Sequence, residues 1–469
     1  MRNQKKQKLY KDIKIIDTAD KGRSIAKTDD GKIIFIDKGV PGDTVNVNVF
    51  KKRKKFLEGN ILEITTASPN RKVPECEHFG ICGGCKWQNM NYDTQLKYKQ
   101  KEVFENIKRI GNIRILKPEP IIGSPDQYFY RNKMEFSFSN KRWLTNDEIN
   151  DKNYKLNRNG LGFHKPGKWD KIIDIKKCYL QIDPSNNIRN SIKEYSIKNN
   201  LSFYDYYNKS GLLRSLMIRT SSNGDIMVVI QFFEKNSKQI NNLLKYLSTE
   251  FSEISSLNYC INSKANDSLY DQDIICYSGD KFITEIMGDL KFIITPKSFY
   301  QTNSKQAHEL YKIALEFANL KSDETVFDLY TGTGTIAQFI SKKCTKVIGI
   351  ESVPESVEAA IHNSKLNKIN NVEFVVGDMK KVFNEEFIKK YGKPNTIITD
   401  PPRDGMHKKV INQILSLMPK KIVYISCNSA TQARDIAILK SRYKIIRSRA
   451  IDMFPQTHHI ENVVLLEKR

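Results

Sequence analysis

The stretch Lys421-Ile-Val-Tyr-Ile-Ser-Cys-Asn-Ser-Ala430 carries the residue best suited to covalent chemistry, Cys427. Five residues of β-type composition, Lys421 to Ile425, run into Ser426-Cys427-Asn428, and a helical pattern begins near Ala430. A thiol at the carboxyl end of a buried strand, facing a helix N-terminus, sits where α/β sheets keep their reactive groups. The helix dipole there favours the thiolate, which is the nucleophilic form. An arbitrary cysteine is more often a small apolar core residue, so the weight lies on what accompanies Cys427. Glu461 precedes the hydrophobic run Asn462 to Leu466 and is expected at the same sheet edge. In isolation Glu461 reads as a charged residue at the start of a strand.

Two further groups have chemical spacing. Cys76-Glu-His-Phe-Gly-Ile-Cys82-Gly-Gly-Cys85 has the pattern C-x5-C-x2-C, and the next cysteine is Cys178. Three thiols in so short a run, with glycines that let amides turn toward sulfur, suit a cuboidal iron–sulfur cluster with one remote ligand. A four-cysteine zinc site competes, but it normally uses two close pairs and only one is present. A redox dithiol at Cys82 and Cys85 lacks a surrounding βαβ pattern. His78 reads as a surface histidine, and Trp87 and Tyr92 are expected to cover the cysteine group. In the second group, Phe327-Asp328-Leu-Tyr330-Thr-Gly332-Thr-Gly334-Thr335 ends a strand, and its glycines let backbone approach a cofactor. Glu351 closes the next strand, about 20 residues on, where a carboxylate can hold ribose hydroxyls. No third glycine and no Lys-Ser/Thr pair serves phosphates. The cofactor is therefore expected to hold ribose without phosphate, and S-adenosylmethionine fits. Asp378, after the third strand, is placed to meet the adenine end. Asp400-Pro-Pro-Arg403 follows the fourth strand, and its prolines fix an extended backbone. Amine-methylating loops carry an aromatic where this chain has Arg403, which argues against an exocyclic amine. His458 and His459 read as structural.

These groups need positioning elements. From residue 301 to 469, strands expected at Thr325–Leu329, Lys346–Ile350, Val372–Val376, Thr396–Thr399, Lys421–Ile425, Tyr443–Arg449 and Asn462–Leu466 alternate with helices. This is a doubly wound, Rossmann-like α/β domain. Only a hairpin fits between the last two strands. Residues 1–68 carry short β-rich runs, including Ile33–Ile36, Thr44–Phe50 and Asn60–Thr65, and suggest an OB-like barrel. Residues 69–300 form a β-rich middle part with the cysteines, in which Tyr92 to Ile110 has helical spacing and 184–211 looks peripheral. Strands at Tyr130–Phe138 and Leu212–Arg219 interleave basic and aromatic residues, as an RNA-binding sheet face would, or as ordinary amphipathic strands do. Lys+Arg exceed Asp+Glu by 77 to 53, a formal +24 that suggests a polyanionic partner, most simply nucleic acid. Part of that excess is a Lys/Asn/Ile bias, but Lys5-Lys6-Gln7-Lys8 and the barrel-rim run Lys51–Lys55 are concentrated. With no apolar N-terminal core and no bilayer-length apolar run, a cytoplasmic protein is expected.

The combination of C-x5-C-x2-C, Cys178, Asp328-Leu-Tyr-x-Gly-x-Gly, Asp400-Pro-Pro-Arg, Ser426-Cys-Asn and His458-x-x-Glu461 resembles the S-adenosylmethionine-dependent RNA uracil-C5 methyltransferases, over nearly the whole chain. The barrel is similar to that family's RNA-binding TRAM domain. The resemblance implies that Cys427 is the nucleophile and Glu461 the base. It implies cofactor contacts from Gln301, Tyr330, Thr335, Glu351 and Asp400, and a [4Fe–4S] cluster on Cys76, Cys82, Cys85 and Cys178 that shapes RNA binding. It also implies that 93–120 packs on the catalytic domain. Thr331 stands where many members have Cys, and Gln456 where His is common. A 23S ribosomal RNA substrate is the first expectation, because a barrel and a cluster add contact surface. Transfer RNA, or a non-catalytic iron–sulfur RNA-binding role, are the alternatives, and a cytosine-C5 enzyme fits the Asp400 loop and Glu461 less well.

Overall fold

In the computed structural model, residues 8–113, 118–150 and 157–469 are described. Of the basic run at 5–8, only Lys8 falls within them. Strands β1 (Lys8–Ala19), β2 (Arg23–Lys27), β3 (Ile33–Asp37), β4 (Thr44–Lys52) and β5 (Phe56–Thr66) close into a barrel of order β1-β2-β3-β5-β4. Alternation drives it: Val45, Val47 and Val49 point inward against Ile15, Ile34, Ile36 and Leu57. The basic run Lys51–Lys55 forms the β4–β5 connection at one rim.

After the cysteine-rich loop, helix α1 (Tyr92–Arg109) runs where the spacing indicates, and Asn91 caps it by accepting from the Thr94 amide at 3.0 Å. The next element is a four-residue strand, β6 (Glu119–Ile122), which leaves the middle of the chain altogether. It pairs in parallel with a strand near the C-terminus, Arg449 opposite Glu119.

The middle part builds a seven-stranded sheet from β7 (Lys133–Ser139), β8 (Gly160–Lys165), β9 (Lys168–Asp174), β10 (Leu213–Thr220), β11 (Ile226–Phe232), β12 (Ile254–Ile261) and β13 (Ile275–Gly279), in the order β13-β12-β11-β10-β7-β8-β9. A short helix α2 (Asn146–Asn150) lies between β7 and β8; α3 (Ser185–Lys198) and α4 (Ser237–Glu250) cover the sheet. The polar composition of 184–211 is misleading. Ile188, Ile192, Leu201 and Phe203 are buried in this core, because a few apolar residues at helical spacing suffice to seat a helix. A hairpin of β14 (Ile283–Met287) and β15 (Leu290–Ile294) leads to α5 (Ser304–Ala318).

The C-terminal sheet contains β16 (Thr325–Leu329), β17 (Lys346–Glu351), β18 (Val372–Val376), β19 (Thr396–Thr399), β20 (Lys421–Ser426), β21 (Tyr443–Ile451) and β22 (Glu461–Lys468), in the order β18-β17-β16-β19-β20-β22-β21-β6. Strands β16 to β20 are parallel; β22 runs antiparallel between β20 and β21. Helices α6 (Thr335–Ile340), α7 (Pro354–Leu366), α8 (Glu385–Tyr391), α9 (Lys408–Leu417) and α10 (Ser429–Leu439) make the connections. Both faces are covered, which is why the inner strands read as unbroken apolar runs. Helix α1 lies against α10 and β21, on the C-terminal part. Among the described residues no helix is long and apolar enough to cross a membrane.

Candidate active site

The carboxyl ends of the parallel strands form one edge, and chain connectivity delivers the singled-out residues to it in turn. Tyr330 to Gly334 leave β16, Glu351 ends β17, Asp378 follows β18, Asp400 follows β19 and Cys427 follows β20. Strand β22 runs the other way, so its first residue, Glu461, reaches the same edge. The ladder pairs Ser426 with Asn462. One step beyond that pair, Cys427 and Glu461 stand across from each other.

Asn428 locks this corner. Its Oδ1 accepts from the amides of Ala430 and Thr431 at 3.1 and 3.4 Å, capping α10, and its Nδ2 donates to the Arg403 carbonyl at 3.0 Å. Thr431 Oγ1 donates to the same carbonyl at 3.0 Å. The Asp400-Pro-Pro-Arg403 loop is thus tied to the cysteine turn, and the Arg403 guanidinium is the cation beside Cys427 and Glu461.

The expected stabilisation of the thiolate is reversed. Burial pushes the Cys427 thiol up to about 11, and the carboxylates of Glu461 and Asp400 add to the rise, with Arg403 opposing. The same burial, with Asp400 as neighbour, holds Glu461 well above the carboxylate range, and Asp400 rises to about 7. Desolvation and two acids outweigh one helix terminus. A thiol at about 11 holds far less thiolate at neutral pH than a free cysteine near 8.5. In the cofactor-free protein, iodoacetamide should therefore alkylate Cys427 roughly a hundredfold more slowly at pH 7 than a model thiol, with the rate still climbing at pH 10; peptide mapping reads this directly. His458 and His459 are pushed down to about 4 and about 3 by burial, so both rings are neutral near pH 7.

Beside this corner is a cradle. Gly332 and Gly334 have φ of 55° and 76°, and Tyr330 shares that left-handed backbone at 63°. A side chain at Gly334 would meet Phe374 at 2.5 Å, whereas one at Gly332 would meet nothing within 4 Å. The first glycine therefore borders open space and the second permits close packing. Glu351 Oε2 accepts from the Gly332 amide at 3.1 Å, and its Oε1 accepts from Ser352 and Val353 at 2.6 and 3.0 Å. Thr335 opens α6 with its hydroxyl 3.4 Å from that of Thr333. Buried Tyr311 hydrogen-bonds the Gln301 side chain and faces Asp328, Asp400 and Glu461, which draws Gln301 to the site. Asp378 is exposed and accepts from the Lys380 amide at 2.9 Å. Thr331 gives buried Asp328 a hydroxyl donor at 2.5 Å, a firmer partner than the weak thiol donor common at that position.

The four cysteines of the middle part line one cavity of about 390 Å³. All four are free thiols, and burial raises each of them, Cys82 to about 11 and Cys85 to about 12. Among the described residues no three metal-binding side chains gather as they would around a single ion. Four thiols lining one cavity supply the number of donors that a four-cysteine zinc site or an iron–sulfur cluster uses. His78 is committed elsewhere, accepting from the Lys176 amide at 3.1 Å. Trp87 and Tyr92 do not cover the cavity. The Trp87 indole donates to the Gly22 carbonyl at 3.2 Å and seals the barrel junction, while the Tyr92 hydroxyl donates to Asp452 at 3.0 Å.

The positioning contacts that sequence reasoning missed join helix α1 to the 452–460 loop ahead of Glu461. Lys99 and Asp452, both fully buried, pair at 2.6 Å. Gln456 exchanges two hydrogen bonds with Gln95, each at 3.0 Å, and its carbonyl accepts from Lys86 and Trp87 beside the cysteine loop. Gln456 thus ties the base-bearing loop to α1 and to the cysteine loop. The sequence marked Gln456 only as a departure from the histidine common in the resembled family, which says nothing of these contacts.

Comparison with known proteins agrees with this geometry. The family model described as tRNA (uracil-5-)-methyltransferase matches residues 288–469, and the TRAM domain model matches 7–62. A Bacteroides thetaiotaomicron protein called an uncharacterized RNA methyltransferase is 49% identical, covering 96% of this chain and 100% of its own. A Chlorobaculum tepidum protein of the same description is 37% identical, covering 97% and 96%. The crystal structure of Pyrococcus abyssi tRNA (uracil-54, C5)-methyltransferase with S-adenosyl-L-homocysteine superposes with a TM-score of 0.76 at 27% identity, over 97% of this chain and 100% of that one.

Proposed function

Since the chain belongs to the RNA uracil-5 methyltransferase family, we propose that it methylates C5 of a specific uridine through a covalent Cys427 adduct. The observation that carries this reading is the antiparallel register that brings Cys427 and Glu461 to one buried corner beside the glycine cradle. Uracil C5 is a poor nucleophile. The Cys427 thiolate adds to C6, and the ring's electron pair moves onto O4 as an enolate. C5 would then bond to the methyl group as the methyl–sulfonium bond breaks, its electron pair staying on sulfur to leave a neutral thioether. Glu461, as carboxylate, removes the C5 proton, and the C6–S bond breaks to return the thiolate. The base must be extruded from its stack for sulfur to reach C6. Gln301, Tyr330, Gly332, Gly334, Thr335, Glu351, Asp378 and Asp400 would hold S-adenosylmethionine. When bound, it supplies an electrophilic methyl on a sulfonium, whose charge offsets the crowded acids.

Cys76, Cys82, Cys85 and Cys178 would hold a [4Fe–4S] cluster, whose cationic iron makes ionisation of four buried thiols favourable. Anaerobically purified protein should contain iron and acid-labile sulfide in equal amounts. Cys178→Ser should lose most of both along with the visible absorbance; unchanged iron would remove Cys178 from the ligand set.

23S ribosomal RNA is the first reading, for the contact surface that the barrel and the cysteine-rich part offer a large RNA, although the match to a transfer-RNA enzyme spans 97% of this chain, barrel included. The match in length to a transfer-RNA enzyme supports tRNA as the second reading. Mass-spectrometric mapping of 5-methyluridine in ribosomal and transfer RNA, from cells with and without the gene, tests both. Loss from neither pool refutes the function.

A further inference from the structure

The middle sheet carries a second cavity, of about 560 Å³, that the chemistry above does not use. Its floor is a cross-strand ladder on one face, with Ser215 opposite both Ser137 and Gln231, and Met217 opposite both Glu135 and Val229. Lys133, Arg219 and Lys297 bring three positive charges to it against the two acids Glu135 and Asp267, and Tyr270, which is 66% exposed, stands in its wall. Lys133 is held by Glu135 at 2.5 Å. Arg219 is the unusual member. It is 4% exposed and donates through Nη2 to the Ser298 carbonyl at 2.6 Å. Its Nε has no partner among the described residues, and a buried donor left unmade is costly. The wall at Pro296 and Lys297 continues through Ser298 into Phe299, which is 59% exposed, and then Gln301. The carbonyl of Phe299 accepts from Thr333 Oγ1 in the glycine turn at 3.4 Å. Four residues of chain, about 14 Å at most, separate Lys297 from Gln301.

We propose that this cavity takes one unpaired ribonucleotide of the RNA substrate, a neighbour of the methylated uridine, with its base on Tyr270 and its phosphate toward Arg219 and Lys297. A volume of this size suits one nucleotide. A mixed polar and apolar floor beside cations and an exposed ring is the chemistry that single-stranded RNA rewards. The inference rests on the RNA-methylating reading above.

The test uses the full-length protein with Tyr270→Ala and Lys297→Ala, singly and together, and the ribosomal or transfer RNA that loses 5-methyluridine in cells without the gene. The double variant should bind that RNA about tenfold more weakly and raise KM for RNA by a similar factor. kcat at saturating RNA, KM for the methyl donor and the melting temperature should not change. RNA affinity within twofold of wild type in the double variant overturns the proposal, as does a fall in kcat at unchanged KM. A wild-type protein that binds RNA without methylating it refutes the proposed function instead, and weaker binding by the variants then still supports the cavity.

Discussion

Cys427→Ala should reduce 5-methyluridine formation by roughly a thousandfold or more while leaving RNA affinity unchanged. The expectation is severe because no other thiol can substitute. Among the remaining cysteines, four line the separate cavity of the middle part, Cys260 and Cys344 are buried, and Cys276 lies on β13 at an edge of the middle sheet. Uracil C5 has no other route to electron density here, since the nearest groups, Glu461 and Asp400, are acids held toward protonation. The side chain is small and sits at a turn fixed by Asn428, whose bonds to Ala430, Thr431 and Arg403 do not involve the sulfur. Folding should therefore survive. Full activity in the alanine variant would refute covalent catalysis.

Glu461→Gln should do something different: turnover should fall about a hundred- to ten-thousandfold, and a protein–RNA adduct resistant to denaturing gels should accumulate. Without a base the C5 proton stays, and elimination cannot expel the thiolate. The amide keeps the size of the carboxyl group, so the earlier steps proceed while the last is blocked. Intact activity with no adduct would remove Glu461 from the base role.

The sheet was legible because its central strands are buried on both faces, while the edge strand Val372–Val376 keeps an apolar run although it is largely half-buried or exposed. Thr325–Leu329, Val372–Val376 and Thr396–Thr399 are bounded in the structure as their apolar runs and turn residues indicate. The site inherits that legibility, since parallel strands must end at one edge. What escaped has physical reasons. Strand β1 mixes lysines with isoleucines because much of it faces solvent. Strand β6 is four residues long and contains Pro120, which only an edge strand tolerates. The raised thiol of Cys427 depends on burial and on two acids, Glu461 and Asp400, brought from the ends of two other strands, and helix-terminus reasoning sees only one neighbour. Arg403 entered the sequence reading as a missing aromatic, whereas in space it is the cation nearest the reacting pair. The buried Lys99–Asp452 bond joins residues 353 apart, beyond any local pattern.

The strand β6 has an implication for how the chain is made. Its Glu119 grips Arg447 through two hydrogen bonds, at 2.5 and 3.0 Å, across 328 residues of sequence. At about 5–20 residues per second on a ribosome, that partner emerges some tens of seconds later. Until then β6 waits without its ladder, and the last strand pair lacks its border. A fragment starting near residue 288 would expose the open backbone of β21 as a template for aggregation. The catalytic half thus completes itself only with a piece synthesised long before it.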